Sequence, residues 1–377
     1  MKSAPGSPLW LSAPSRFAGM SVKRARRVSV LLCALFLLSL TAFFGAGPRV
    51  AGNGAGGTAG VAHGSEQTDL LLYEGIVDAM RHGEGYYPAT ARNLRAGDYP
   101  LRPFVTFRLP TLAVMETLLP PKVVLGLLYA LVAAVVLAWY LRLREALGLP
   151  GRLFALAMLA AGLLVYVQPT LWAMHEVWAG LLVALSLALR RPGRWVDAVA
   201  VGLAAALLRE TAALYLVLMS VLAWRDGARR EALAWAGAVL VLAAVLVFHA
   251  VAVARVVSPL DPASPGWSGL LGFGFFLKAV AASTALSAVP MAVATPLLAL
   301  ALFGWTAWKD PLAVRVAAVL AGYAAVLSVF GRADTFYWAL LVAPLVLMGL
   351  AFAPDGLRDL FAAMLDRRRI HVQRITR

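Results

Sequence analysis

Residues 195–224 read WVDAVAVGLAAALLRETAALYLVLMSVLAW, two apolar runs on either side of Arg209-Glu210-Thr211. Each run has about 14 residues, short of the ~17–25 that a helix needs to cross a bilayer. As one helix, the stretch would carry an Arg and a Glu at mid-depth. As two, it brings them to a surface or recess and reverses the direction of all that follows. Charge decides between the two. With two helices, Arg142/Arg144/Arg152, Arg190/Arg191/Arg194, Arg225/Arg229/Arg230 and Lys309/Arg315 share one side with the basic tail Arg367–Arg369, Arg374 and Arg377. With one helix, the Arg225 cluster and the tail change sides, against the preference of Lys and Arg for the cytoplasmic face.

The rest of the chain is consistent with a polytopic membrane protein. Its 377 residues are 61% hydrophobic and only 14% charged, and the mean hydropathy is +0.79. A soluble core of this length does not need so much apolar surface. The net charge of +15 lies in short clusters between apolar runs, which suits lipid headgroups and argues against nucleic acid. The single cysteine, Cys33, excludes an intrachain disulfide. Residues 1–27 read as a disordered basic tail, with Met20 a second plausible start that would leave 1–19 untranslated. Val28 to Ala46 reads as an uncleaved anchor. Further spans are expected near 123–141, 153–168, 171–189, 195–208, 211–224, 231–254, 283–305, 313–330 and 336–353. The expectation is therefore an all-α fold of about ten transmembrane helices, forming one domain over 28–353 with both termini inside. A basic tail follows at 354–377.

The long polar interval, residues 47–122, lies on the outer side in this scheme. It contains Thr68–Tyr87, TDLLLYEGIVDAMRHGEGYY, where Leu70, Leu71, Leu72, Ile76, Val77 and Met80 recur at helical spacing. That pattern predicts an amphipathic helix on a membrane face, with Thr68 as N-cap and Asp69 ionised in its first turn. Tyr73 shares the face of Asp69 one turn on. Gly83 should end the helix, and Gly85-Tyr86-Tyr87-Pro88 should lead into an extended aromatic segment. Arg102-Pro103 follows. Phe104–Leu119, broken by Arg108, Pro110 and Glu116, reads as interfacial or re-entrant.

Ionisable groups near apolar spans are functional candidates because hydrocarbon is a costly place for them. Four sets stand out, all on the outer side. His175-Glu176 opens the fourth span, either as site residues or as a mutually bonded cap. Arg209-Glu210 offers a phosphate ligand or an internal salt bridge. Arg332, with Tyr337 and Trp338, offers a second anion ligand and either sugar-stacking rings or an interfacial belt. Arg255, Asp261, Trp267 and Lys278 lie in a proline-rich loop that reads as a lid or an acceptor surface. No GxSxG, HExxH, P-loop or strand–GxGxxG–helix motif is present, and no two histidines stand at i, i+4.

Asp-x-x-x-Tyr and Gly-x-x-Tyr sit in a long first outer loop. A Pro-rich re-entry, an outer Glu, an Arg between short helices and an Arg with aromatics in the last outer turn come after it. This layout resembles the GT-C class of integral-membrane glycosyltransferases, above all the bacterial mannosyl- or arabinosyltransferase-like group. The resemblance implies a polyprenyl-phosphate-linked sugar donor and a glycan, lipid or protein acceptor. It also implies a site facing the periplasm at the bacterial inner membrane. On it, Asp69 is the catalytic acid, as a base or as ligand to a divalent cation (Mg or Mn). Arg209 and Arg332 hold the donor phosphate, and Tyr73, Arg102, His175, Glu176, Glu210 and Tyr337 contact substrate. A transporter or flippase for a lipid-linked or anionic solute is the alternative from another class, since broken helices with central charges suit it too. A non-catalytic assembly subunit is the third.

Overall fold

At Arg209 the helix breaks. In the computed structural model, which describes residues 9–45, 47–48 and 65–365 with side chains from Leu70 in the last stretch, α8 (Val196–Leu208) stops where Arg209 turns extended at φ −140°, ψ 109°. A single 3₁₀ turn, Glu210–Ala212, leads into α9 (Ala213–Arg225). A Cβ on Gly202 would lie 3.0 Å from the Tyr215 ring and 3.3 Å from the Leu216 side chain, so α9 folds back along α8.

The other helices are α1 (Val22–Ser39), α2 (Ser65–Arg81), α3 (Tyr86–Ala96), α4 (Thr111–Leu118), α5 (Pro121–Leu143), α6 (Leu149–Leu163) and α7 (His175–Leu189). After α9 come α10 (Arg229–Ala254), α11 (Gly272–Ala282), α12 (Met291–Ala307), α13 (Pro311–Phe330), α14 (Ala343–Val346) and α15 (Ala353–Leu365). Among the described residues the only β pairing is three isolated bridges. Four segments are long and apolar enough to cross a bilayer: Val22–Phe43, Pro121–Leu143, Arg229–Ala254 and Pro311–Phe330. On α10, Leu240 is 71% and Phe248 76% exposed, an outward apolar surface that fits lipid and not water.

The expected count of ten full spans is not reached. Five further apolar helices have 10–17 residues, and one of them, α11, occupies what reads as outer loop. The apolar run 336–353 is not one helix. It passes through 3₁₀ turns at Phe336–Leu341 and Leu347–Ala351 with only one α-turn's worth of helix between, and every residue from Thr335 to Ala353 is buried. Irregular backbone survives at such depth only where protein surrounds it and satisfies its carbonyls. Here the Tyr166 hydroxyl donates to Leu340 O and the Trp305 indole to Leu345 O at 2.9 Å. A Cβ on Gly304 would collide with Gly349 O at 1.8 Å, so the backbones meet where only glycine fits.

Ion pairs gather the basic loops at one end of the bundle. Arg142 meets Asp310 at 3.2 Å, Arg191 meets Glu145 at 3.1 Å, Arg190 forks onto Glu231 at 2.8 and 2.9 Å, and Arg315 meets Asp226 at 2.6 Å. The chain therefore returns to the basic end after α9, as the two-helix reading of 195–224 requires.

The amino-terminal segment crosses that same end, contrary to the disordered tail expected. The amides of Leu9, Trp10 and Leu11 donate to the Asp355 carboxylate at 2.7, 2.8 and 2.9 Å, and Ser15 N donates to Asp359 at 3.0 Å. Arg16 donates through its amide to Ala307 O and through its guanidinium to Trp308 O. Phe17 stacks on Phe303 at 5.4 Å. Residues 9–20 are thus a strap that ties α12 and α15 together. The second half of the tie, α15, lies where a basic tail was expected.

At the opposite end, α2 lies on α3 and α4 with Ile76 and Val77 buried. The expected extended segment at Tyr86 is instead α3. Gly85 takes the extended N-cap conformation, and Pro88 falls in the first turn, where its missing N–H costs nothing. In α4, Glu116 is 2% exposed and one carboxylate oxygen has no hydrogen-bond partner. Burial pushes its carboxyl from 4.5 up to about 8, against the pull of Arg81. The folded chain therefore keeps a proton that the unfolded chain releases, so stability falls as pH rises through that window. Glu116→Gln should match wild type at about pH 4 and below, and exceed it above about pH 8, by on the order of 1–4 kcal/mol. Thermal midpoints of the two proteins across pH check this, and parallel curves would remove the buried acid from the account.

A candidate anion and sugar cavity

Three arginines reach one cavity of about 1030 Å³ at the end opposite the basic loops. Arg108 arrives from the turn before α4, held between the buried side chains of Phe107 and Leu109, with its carbonyl accepting from the Tyr86 hydroxyl at 2.6 Å. Arg209 arrives from the α8–α9 break, and Arg332 from the turn after α13. The wall is aromatic, with Tyr73, Tyr86, Tyr99, Trp267, Tyr337 and Trp338.

The guanidiniums differ in what they have left to give. Arg209 is 2% exposed; its Nε donates to Glu176 Oε1 at 2.5 Å and its Nη1 to Glu210. That pairing joins the first turn of α7 to the α8–α9 break. Arg332 forks onto Asp334 at 3.1 and 2.5 Å. Arg108 comes no nearer than 3.9 Å to Glu210, and its buried Nε has no hydrogen-bond partner. Burial pushes the Glu210 carboxyl up, yet Arg209 and Arg108 outweigh it and hold it below its usual value. Glu210 therefore stays ionised.

The cavity roof comes from the proline-rich loop. Arg95 of α3 forks onto Asp261 at 2.9 and 2.7 Å, and Ser264 N donates to Arg102 O at 2.7 Å. The hydrogen bond from Arg95 holds the Asp261 carboxyl down at about 2. This places Ser264 and Trp267 on the cavity wall.

Of the residues singled out in the sequence, Tyr73, Arg209, Glu210, Arg332 and Tyr337 line the cavity together. Glu176 stands behind Arg209. His175 sets its ring 5.0 Å from that of Tyr73, so the mutual His175–Glu176 pair does not form. Arg102 is elsewhere: its guanidinium donates to Asp261 O at 2.9 Å, and it borders a separate cleft of about 400 Å³ beside the end of α10. Lys278 lies within α11 and donates to Phe44 O and Gly45 O, away from the lid. Asp69 belongs to α2, one turn before Tyr73, but its side chain lies outside the described residues.

Trp267 of the fourth set lines the cavity as well, whereas Arg108, Tyr86 and Asp98 line it without having stood among the four sets. Arg108 had a signal, a charge inside an apolar run, and was set aside because that run reads as interfacial. Asp98 had none. It takes a left-handed φ of 55° after Gly97, which only the folded loop reveals.

Buried polar atoms without partners concentrate here. Arg108 Nε, both ring nitrogens of His175, Glu210 Oε2, Thr211 Oγ1 and Trp338 Nε1 all lie on or just behind the cavity. Such atoms cost free energy unless water or a ligand meets them. They supply donors and an acceptor side by side, which suits an anionic group bearing hydroxyls. A divalent cation does not fit the described carboxylates: Glu210 and Asp334 are taken by guanidiniums, and no group of three or more His, Cys, Asp or Glu converges among the described residues. Compared with known proteins, the chain matches no family model, no curated protein and no solved structure.

Proposed function

We propose that this chain is a membrane glycosyltransferase that moves a sugar from a polyprenyl-phosphate donor to a hydroxyl of a glycan, lipid or protein. The observation that carries the reading is the cluster of unsatisfied donors and acceptors on a large cavity with three guanidiniums and an aromatic wall. Guanidinium forks suit phosphate, and ring faces suit a sugar. In the reaction, the acceptor O–H gives its proton to the Asp69 carboxylate and its oxygen bonds to the anomeric carbon. The bond from that carbon to the phosphate oxygen breaks, and the electron pair leaves with polyprenyl phosphate, whose charge the guanidiniums offset. The basic end would face the cytoplasm and the cavity the outer side of the bacterial inner membrane.

Purified protein in lipid should consume labelled polyprenyl-phosphate sugar. General-base help is worth about 10²–10⁴ in rate, so Asp69→Asn should lose at least about 10²-fold while still folding. Glu74→Gln and Asp78→Asn, further along α2, should retain most activity. An Asp69→Asn protein as active as wild type would refute the mechanism. The split α8–α9 pair also suits a transporter. Movement of intact donor across a vesicle membrane, with no transfer of its sugar, would select that alternative.

A further inference from the structure

We infer that Arg108, and not Arg209, is the residue that takes the anionic part of the ligand. The inference rests on the anion-binding half of the function proposed above and assigns it within the cavity. A guanidinium that binds phosphate must have N–H groups to offer when the ligand arrives. Arg209 has few. Its Nε and Nη1 are committed to Glu176 and Glu210, and it is only 2% exposed where it lines the cavity. Exchanging those carboxylates for a phosphate would strand Glu176, itself 1% exposed, in a buried position without its partner.

Arg108 is in the opposite state. Its side chain is 16% exposed and lines the cavity; among the described residues the nearest carboxylate, that of Glu210, stands 3.9 Å away, beyond hydrogen-bond reach; and its buried Nε is without a partner. Position and orientation are already fixed, because Phe107 and Leu109 are buried on either side and Tyr86 holds the carbonyl between them. Thr211 and Trp338 line the same cavity, and each carries a buried donor, Oγ1 and Nε1, without a partner. Arg209 then acts as a positioning residue. By holding Glu210 it keeps that carboxylate from closing onto Arg108 and occupying the anion's place.

The test is direct binding to the full chain in detergent micelles, followed by the fluorescence of the cavity tryptophans Trp267 and Trp338. The probes are inorganic phosphate, inorganic pyrophosphate and farnesyl phosphate, which separate a free anion from a lipid-borne one. Arg108→Gln should weaken binding of the tightest probe about 10-fold or more, in line with loss of a charge-assisted fork. Arg108→Lys should fall between that and wild type, because charge remains without the fork. It also decides the matter if the Gln variant fails to fold. Arg191→Gln, at the opposite end of the bundle, should bind as wild type does. Unchanged affinity in both Arg108 variants would overturn the inference. Sugar transfer that persists with unchanged product affinity in Arg108→Gln would sink the inference and leave the function standing. Arg108-dependent binding with no transfer from any donor would do the reverse.

Discussion

Arg209→Ala is expected to lower stability by about 3–5 kcal/mol, the usual consequence of leaving one partner of a buried ion pair alone. The side chains of Arg209 and Glu176 are 2% and 1% exposed, so water cannot replace the lost partner. Arg209→Lys should recover little of this, because one ammonium does not reproduce a fork that reaches Glu176 and Glu210 from different nitrogens. Removing both charges is a different matter. Arg209→Met with Glu176→Met takes out the desolvated pair together, and such replacements are often neutral or stabilising. The measurement is the midpoint of thermal inactivation for both singles and the double at equal expression. A double as unstable as Arg209→Ala would mean that the pair is not what joins α7 to the break.

Asp355→Ala should cost a comparable amount for another reason. Asp355 is fully buried and accepts three consecutive amides, from Leu9, Trp10 and Leu11. Without the carboxylate those donors are stranded, at about 1–3 kcal/mol for each that water cannot reach, and the strap should lift away. Asp355→Asn should behave nearly as badly, because its NH₂ presents donors to donors. Limited trypsin digestion reads the outcome. Cleavage at Arg16, whose guanidinium is held by Trp308 O, should be slow in wild type and fast in both variants. A chain started at Met20 lacks the strap and should lose the same stability. If Asp355→Ala resists trypsin as wild type does, the strap is held without Asp355, by the hydrogen bonds of Ser15 and Arg16 and the apolar contacts of Leu11 and Phe17.

Sequence sufficed for features that local pattern controls. The long apolar runs of α5, α10 and α13 and the break at Arg209 all came through. Failures fall where the deciding partner is far along the chain. Glu176 and Arg209 stand 33 residues apart, so local pattern showed the Arg209–Glu210 pair, which forms, but put His175 in the place of Arg209 as the partner of Glu176. Ser, Pro and Gly in the first 20 residues read as disorder because nothing local reveals an acceptor in α15. The run at 336–353 is apolar throughout, and apolarity alone cannot separate a spanning helix from an irregular segment packed inside the bundle. Five site residues nevertheless converged on one cavity, because costly ionisable groups in apolar surroundings are visible without knowing the fold.

The strap also sets an order on the making of the protein. Residues 9–15 leave the ribosome first, whereas their acceptors Asp355 and Asp359 lie 344–346 residues later. Contacts of such separation form only after nearly all the chain is available. A product cut short just before α15 holds every other helix, yet its amino end lacks the Asp355 and Asp359 carboxylates that accept from Leu9, Trp10, Leu11 and Ser15. The closed strap is therefore a mark that synthesis has passed α15. Proteases that trim exposed amino ends would tell molecules that hold α15 from those that lack it by this contact.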